Sequence, residues 1–382
     1  MSRFTFYEFF AGGGMARLGL GKNWDCLFAN DIDSKKAASY KAKFGDKDIV
    51  VGDVSLLNVN QIPGQADLAW ASFPCQDLSL AGNGVGLSGS RSGTFWPFWK
   101  LMSVLRGKML APRAIVLENV YGAITSHGGK DLAAIVNALS EGGYRFGPLV
   151  IDAVQFLPQS RPRLFIIAFD ASLYIPASVM LPAPTVEWHP EALEIVFDQA
   201  NEVARSNWIW WKLPSPPKRV YRLADLIENN PFGVKWHTPL ETQKLIAMMS
   251  TINLKKLEVA KHYGKRVVGT LYKRTRMDVE GRKVQRAEIR FDGIAGCLRT
   301  PAGGSSRQTI VIVEGDNVRS RLLSPREAAR LMGIPDDYRL PVNYNDAYKL
   351  AGDGVVAPVV NYIANHLLEP VLNSQIKERY AA

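Results

Sequence analysis

Between residues 4 and 170 the chain alternates short apolar runs of strand length with longer amphipathic stretches. That alternation constrains the fold more than any other feature of the sequence. Residues 4–10 read as a strand ending in Ala11-Gly12-Gly13-Gly14, after which Met15, Leu18 and Leu20 continue at helical spacing. Residues 26–30, 68–72, 114–117 and 164–168 are further strand-length runs, with helical stretches at 34–44 and 131–142 between them. Strands separated by helices need crossover connections, so the expectation is an α/β, doubly wound domain around a parallel sheet. A proline-rich stretch at 176–184 breaks the pattern. Regularity returns with a helix over 325–332, capped by Ser324 with Pro325 in its first turn, and an apolar helix over 355–372 closes the chain. The expected division is 1–170, a smaller domain over 171–340, and a segment 341–382 that returns to the first.

Hydrophobic residues make up 47% and charged residues 21%, which excludes wholesale disorder. No uncharged apolar run reaches the ~18 residues of a membrane span, and an acid, Glu8, precedes any signal-like core. Three cysteines, Cys26, Cys75 and Cys297, cannot build a disulfide framework. A cytoplasmic protein with no membrane partner is expected. The net charge of +10 is concentrated: residues 201–310 carry 21 Lys/Arg against 9 Asp/Glu, and 261–290 carry ten against three. Such a segment is either a solvated basic face or a surface that tracks phosphates. Most of the tryptophans in or just before it (Trp188, Trp208, Trp210, Trp211, Trp236) are expected in the core.

A strand, a triple-glycine turn and a helix bring backbone N–H groups close to a ligand. At the end of the next strand, Asn30-Asp31-Ile32-Asp33 places a carboxylate where a ribose diol is bound in nucleotide folds. Gly52-Asp53-Val54 offers a second acid after a third strand, positioned for an adenine amino group; a helix cap is the alternative for each acid. Arg17 stands where a third fingerprint glycine would be, which disfavours a nicotinamide dinucleotide and leaves a different adenosine ligand.

Ser72-Phe73-Pro74-Cys75-Gln76 puts Cys75 at a strand's C-terminal end, the edge along which open α/β sheets bind ligands. The glycine-rich loop that follows, through Gly93, suits a lid. Cys26, within an apolar strand, fits an inert buried thiol. In Ile115-Val116-Leu117-Glu118-Asn119-Val120 an acid follows directly on apolar residues, and a carboxyl desolvated there suits a proton donor. Pro158-Gln159-Ser160-Arg161-Pro162-Arg163 sets two guanidinium groups before another strand.

Together these segments resemble the cytosine-5 DNA methyltransferases of the bacterial restriction-modification type. The family's Phe-x-Gly-x-Gly turn is Phe10-Ala11-Gly12-Gly13-Gly14, its Pro-Cys-Gln is 74–76, its Glu-Asn-Val is 118–120, and its Gln-x-Arg-x-Arg is 159–163. The late Arg-x-Leu-(Ser/Thr)-x-Arg-Glu-x-Ala-Arg-Leu run matches residues 321–331. The likeness covers roughly 5–170 and 295–372 and fades over 180–290, the family's variable target-recognition region. Three positions depart from the pattern: Asp31 for the more usual Glu, Met15 for a glycine, and Asp353 in Gly352-Asp353-Gly354-Val355 where the family has Asn.

The resemblance implies a Rossmann-like catalytic domain dependent on S-adenosylmethionine, which leaves as S-adenosylhomocysteine, with a smaller basic target-recognition domain. Cys75 would add to cytosine C6, Glu118 would act at ring N3, and Arg163 with Arg161 would hold O2 and the adjoining phosphate. Cofactor contacts would come from Phe10, Ala11, Gly12, Gly14, Asp31, Ile32, Asp53, Val54, Pro74 and Asp353. Contacts to the substrate DNA would come from Gln76, Ser79, Arg91, Asn119, Gln159 and Arg307. The partner implied is double-stranded DNA, with the base flipped out of the stack for reaction. A cognate restriction endonuclease on the same site is a further implied partner. No metal and no obligate protein partner are expected, and localisation with the nucleoid follows from DNA. The alternatives are a tRNA cytosine-5 methyltransferase and a catalytically silent DNA-binding homologue.

Overall fold

The structure, a computed structural model, describes residues 3–74, 92–278, 280–301 and 307–379. It divides into two compact units: residues 1–152, 162–216 and 355–382 form the first, and 153–161 with 217–354 the second. Residues 171–216 therefore group with the sheet and 341–354 with the second unit, whereas the sequence pattern suggested breaks at 170 and 340.

The first unit begins β1 (Phe4–Phe9), α1 (Met15–Leu20), β2 (Trp24–Asp31), α2 (Ser34–Phe44), β3 (Ile49–Val51) and β4 (Leu68–Ala71). It continues α3 (Phe95–Gly107), β5 (Ala114–Val120), α4 (Lys130–Glu141), β6 (Tyr144–Asp152) and β7 (Pro162–Asp170). The two-residue strands β8 (Met180–Leu181) and β9 (Trp210–Trp211) flank α5 (Glu191–Gln199) and α6 (Glu202–Ser206). The seven-stranded sheet has the order β3-β2-β1-β4-β5-β7-β6. Its parallel core, β3 to β5, matches the expected doubly wound pattern. At one edge β7 runs antiparallel to both β5 and β6. β6 leads to β7 through a short connection with no crossover helix, and such neighbours pair antiparallel. Chain order reverses between β1 and β4, so the crevice beyond their C-terminal ends is the sheet's switch point.

The core is built from residues that the strands bury on both faces. Tyr7, Phe9, Ala69, Ala71, Ile115 and Leu117 pack with α3 and α4 residues such as Phe98, Met102, Leu132 and Val136. Trp188, Trp208 and Trp211 are buried as expected, and Trp210 is half-buried.

The second unit holds α7 (Leu223–Leu226), α8 (Pro239–Ala247), α9 (Thr251–Lys261), and a four-stranded antiparallel sheet of order β11-β10-β12-β13. The strands are β10 (Val267–Met277), β11 (Lys283–Arg290), β12 (Thr309–Glu314) and β13 (Asn317–Leu322). Leu245, Leu257, Leu271, Ile289 and Val311 make its apolar centre. α10 (Pro325–Arg330) starts at a capping box: Ser324 Oγ accepts from Glu327 N, and the Glu327 carboxylate accepts from Ser324 N. That helix ends two residues short of the expected 332. The Glu327 carboxylate also grips Arg321 with both oxygens, a pair with no exposed side-chain surface. The paired Arg and Glu of the family's late motif thus have a packing reason. α11 (Tyr344–Asp353) completes the unit.

The chain then returns to the first unit as α12 (Ala357–Ile363), a π-helical turn Ala364–Leu368 and α13 (Glu369–Arg379). α12 lies on α1, where Asn361 Nδ2 donates to the Gly19 carbonyl at 3.0 Å. A β-carbon at Gly19 would sit 2.4 Å from Val360 Cβ, so the close approach of the two helices requires glycine.

Candidate active site

Parallel register places the sequence motifs along one edge of the sheet. Asn30, Phe9, Ala71 and Leu117 pair in a row across β2, β1, β4 and β5. The residues that follow, Asp31, Phe10, Ser72 and Glu118, lie next along the chain from that row. The glycine turn, the segment leading to Pro74-Cys75 and the Glu118-Asn119 pair are therefore neighbours at the switch point. The sequence separations of 62 residues from Phe9 to Ala71 and 46 from Ala71 to Leu117 within this row are closed by sheet register alone.

The glycine turn is held in an unusual backbone. Phe10 has φ +55°, Gly12 +54° and Gly14 +78°. Left-handed backbone is costly for a residue with a β-carbon, so the strain at Phe10 sits where the sequence reading placed a cofactor contact. A β-carbon on Gly14 would lie 2.5 Å from the Phe44 ring and 2.9 Å from Tyr40, so α2 can pack under the turn only because glycine is there. The turn is tied across to β2 by Ala11 N donating to the Asn30 carbonyl and by Gly12 N donating to Asp31 Oδ2 at 2.7 Å.

Asp31 is buried, and its Oδ1 accepts from Asp33 N at 2.7 Å. Burial raises its pKa, opposed by the bonds from Asp33 and Gly12 and by the nearby Lys36 charge. Its carboxylate thus braces the turn, a task the sequence reading did not assign. Beside it Ile32 is 68% exposed, an apolar side chain held in the open next to a carboxylate. Asp53 caps the short helical turn after β3, accepting from Ser55 N at 2.8 Å, and Val54 is buried. The cap, the alternative open for Asp53, is what its side chain does. These residues fit an adenosyl group: an exposed apolar surface for a base, acids on either side of it, and a turn without β-carbons at Gly12 to Gly14.

At the end of β5, Glu118 is buried and Arg163 Nε lies 3.3 Å from its Oε1, with both side chains largely enclosed. The guanidinium arrives from β7, whose Arg163 pairs directly with Val120. Glu118 is buried, as its apolar run suggested, and Arg163 is its ion-pair partner. Asn119 Nδ2 donates to the Phe73 carbonyl at 3.3 Å, and Asn119 Oδ1 accepts from Val120 N at 2.9 Å. Its amide holds the backbone two residues before Cys75. Phe73 is buried and Pro74 half-buried. Cys75, Gln76, Ser79 and Arg91 lie outside the described residues, as does the 302–306 loop.

The second unit claims several predicted site residues for its own scaffold. Arg161 is 2% exposed; its Nη1 donates to Leu298 O at 3.0 Å, and its Nη2 donates to the carbonyls of Gly352 and Gly354 at 2.9 and 2.8 Å. A guanidinium so enclosed joins two backbone segments of the second unit. Gln159 is fully buried, donating to Leu331 O at 2.7 Å and accepting from Leu298 N at 3.2 Å, and so ties the same scaffold together. Arg307 donates to Asn345 Oδ1 at 2.6 Å and lies over the Tyr344 ring. Asp353 accepts from Thr300 Oγ1.

One buried acid escaped the sequence reading. Glu8, on the central strand β1, is 1% exposed; its Oε1 accepts from Arg17 N at 3.3 Å, while Oε2 finds no hydrogen-bond partner among the described residues. Burial raises its pKa to about 8, against the pull of Arg17. Its position on a strand otherwise apolar, FTFYEF, was the available signal. Cys26 meets the expectation of an inert thiol: it is buried, and desolvation pushes its pKa up to about 12.

With this geometry in place, the comparisons with known proteins are decisive. The family model for the C-5 cytosine-specific DNA methylase matches residues 4–369. The chain belongs to that family. Curated relatives include the Type II methyltransferase M.HpaII of Haemophilus parainfluenzae, 27% identical over 97% of this chain and 91% of that protein. M.HhaI of Haemophilus parahaemolyticus is 28% identical over 95% of this chain and 93% of its own. Among solved structures, S. pombe Dnmt2 methyltransferase shares the fold with a TM-score of 0.60 at 18% identity, covering 97% of this chain and all of that one. A putative DNA modification methyltransferase encoded within an E. coli prophage gives 0.56 at 21%, covering 97% and 99%. The chain is accordingly an enzyme of the DNA C-5 cytosine methyltransferase class, and members of the family use S-adenosylmethionine.

Proposed function

We propose that this enzyme methylates cytosine C5 in duplex DNA, with a flipped-out base held against the edge formed by β1, β4 and β5. The observation that carries the reading is the Glu118–Arg163 pair at the end of β5, beside the Asn119 tether on the chain entering Pro74-Cys75. Bound S-adenosylmethionine supplies an electrophilic methyl group. Gly12, Gly14 and the adjoining Phe10 and Ala11 would hold it at the turn, Ile32 and Val54 would contact the adenine, and Asp31 and Asp53 would take the ribose and the base amino group.

Cytosine C5 is a weak nucleophile, so the ring must first be activated covalently. The Cys75 thiolate adds to C6, and the electron pair displaced through the ring makes C5 nucleophilic. Glu118 gives a proton or hydrogen bond to N3 as that charge develops, while Arg163 orients the Glu118 carboxyl and reaches the O2 side. Once the methyl group is on C5, a base (water or a residue of the 76–93 segment) would take the C5 proton, the C5–H electron pair would restore the C5=C6 bond, and the C6–S pair would leave with Cys75 as thiolate. The second unit, with its excess of Lys and Arg, is the DNA-recognising part. A cognate endonuclease and a location with the nucleoid follow from the same reading.

The test is transfer of labelled methyl to mixed-sequence duplex DNA and, in parallel, to tRNA, with modified bases mapped by sequencing. Methylated cytosine within one short DNA motif is the expected result. Transfer to tRNA alone would overturn the substrate, and cofactor binding without transfer to either would make the chain a silent binding protein. Cys75→Ser should bind cofactor normally and show no turnover.

A further inference from the structure

In the second unit, β10 pairs with β12 only from Val267 to Leu271, yet its pairing with β11 runs on from Thr270 to Met277. Among the described residues, 272–277 and 283–288 therefore form a two-stranded ribbon that outruns the sheet by about six residues, roughly 20 Å. Cross-strand pairing decides which side chains share a face. Tyr272 faces Glu288, Arg274 faces Arg286, and Arg276 faces Val284. One face of the ribbon thus carries three guanidinium groups around a single carboxylate.

The three are not equivalent. Arg274 Nε lies 3.1 Å from Glu288 Oε2, and Arg276 pairs with Glu288 Oε1, so one acid fixes two of them. Arg274 also lies over the buried Tyr272 ring. Arg286 is exposed and forms no hydrogen bond or ion pair with the described residues, although Asp278 at the ribbon's turn feels its charge. Like charges directly across a strand pair repel, and a polyanion laid on the face relieves that repulsion. Over 272–290 there are seven Lys/Arg against three Asp/Glu.

We propose that this ribbon is the element that enters the major groove of the DNA substrate, and that Arg286 is a sequence-reading residue there, specific for guanine. The proposal rests on the DNA-methyltransferase reading above. A two-stranded ribbon fits the ~12 Å major groove of B-DNA, and a planar fork bonding guanine O6 and N7 is the commonest specific contact in that groove. The deep, narrow major groove of A-form RNA does not admit it, which favours DNA over a folded RNA. Glu288 holds Arg274 and Arg276 ready, so the groove meets an ordered pair as well as the unpaired Arg286.

The experiment compares wild type, Arg286→Ala, Arg286→Lys and Glu288→Gln by sequencing methylated sites in a random duplex library, with direct duplex binding by fluorescence anisotropy. Cofactor titration and thermal melting check each variant's fold. Arg286→Ala should lose about 5- to 150-fold of discrimination at one guanine of the site, and Arg286→Lys should fail to restore it, because an ammonium cannot make the forked contact. An unchanged site preference and unchanged duplex affinity in a folded Arg286→Ala protein would overturn the assignment. If wild type methylates no DNA, the reading of the reaction fails by itself. The ribbon is then judged by binding alone: Arg286→Ala must weaken sequence-selective duplex binding, and equal binding refutes it. A misfolded Arg286→Ala leaves the decision to Arg286→Lys, which keeps the charge and must still relax the site.

Discussion

Replacing Asn119 with alanine asks whether the chain entering Pro74-Cys75 is positioned from β5. The substitution removes the amide that donates to the Phe73 carbonyl at 3.3 Å and accepts from Val120 N at 2.9 Å, in a side chain only 5% exposed. Each buried group left unpaired costs about 1–3 kcal/mol, and the Phe73 bond is long, so we expect a stability loss of about 2–4 kcal/mol. The larger effect should be on chemistry. A displacement of about 1 Å in a reacting group can cost about 100-fold in rate, and Phe73 lies two residues before Cys75, the proposed nucleophile. The assay is single-turnover methyl transfer at saturating cofactor and DNA, alongside denaturant unfolding and a cofactor titration. Asn119→Ala should lower the single-turnover rate about 100-fold with cofactor affinity within a few-fold of wild type. Asn119→Asp keeps the acceptor for Val120 N and loses the donor to Phe73, so it should fall nearly as far. A rate within threefold of wild type in either folded variant would refute the positioning role.

Glu8 should make stability fall as pH rises. Its folded pKa of about 8 exceeds the ordinary 4.5, so the folded state keeps a proton that the unfolded chain loses. The contribution is whole below about pH 4.5 and is lost as pH rises through about 8, with a ceiling of about 5 kcal/mol at 1.36 kcal/mol per pH unit; Glu8→Gln should flatten melting temperature between pH 5 and 8, and an equal slope would refute it. Glu327→Ala leaves the fully buried Arg321 guanidinium without its partner and should cost about 3–5 kcal/mol by denaturant titration, whereas replacing both residues with apolar side chains should recover much of it. Gly19→Ala puts a β-carbon 2.4 Å from Val360 Cβ and 2.5 Å from the Ala357 carbonyl, so unfolding should show a loss of about 1–3 kcal/mol or more; an unchanged midpoint would mean that α1 and α12 yield without cost.

The alternating strands and helices, the triple-glycine turn, and the order of Glu118-Asn119, the Gln159–Arg163 run and the Arg321–Leu331 run were all legible in the sequence. Periodicity and turn chemistry are local properties, carried by residues a few positions apart. The sequence also carried the family, because several ordered motifs at fixed chemistry are far more specific than any one.

What tertiary structure decided was the assignment of individual polar groups. Arg161 and Arg163 are two residues apart in one motif, yet Arg163 points to Glu118 and Arg161 is buried against the carbonyls of residues 298, 352 and 354. Arg161 precedes β7, which begins at Pro162, so no strand periodicity relates the two side chains, and only the fold supplies the carbonyls that claim Arg161. Gln159 and Asn119 were likewise claimed by backbone groups distant in sequence, which is where buried amides must find their partners. The antiparallel turn of β7, the buried Glu8 beneath the glycine turn and the unequal roles of the arginines on the β10–β11 ribbon have the same origin. Charge and hydrophobicity are written in the sequence, whereas which charge is paired, and with what, is settled only by the contacts that folding creates.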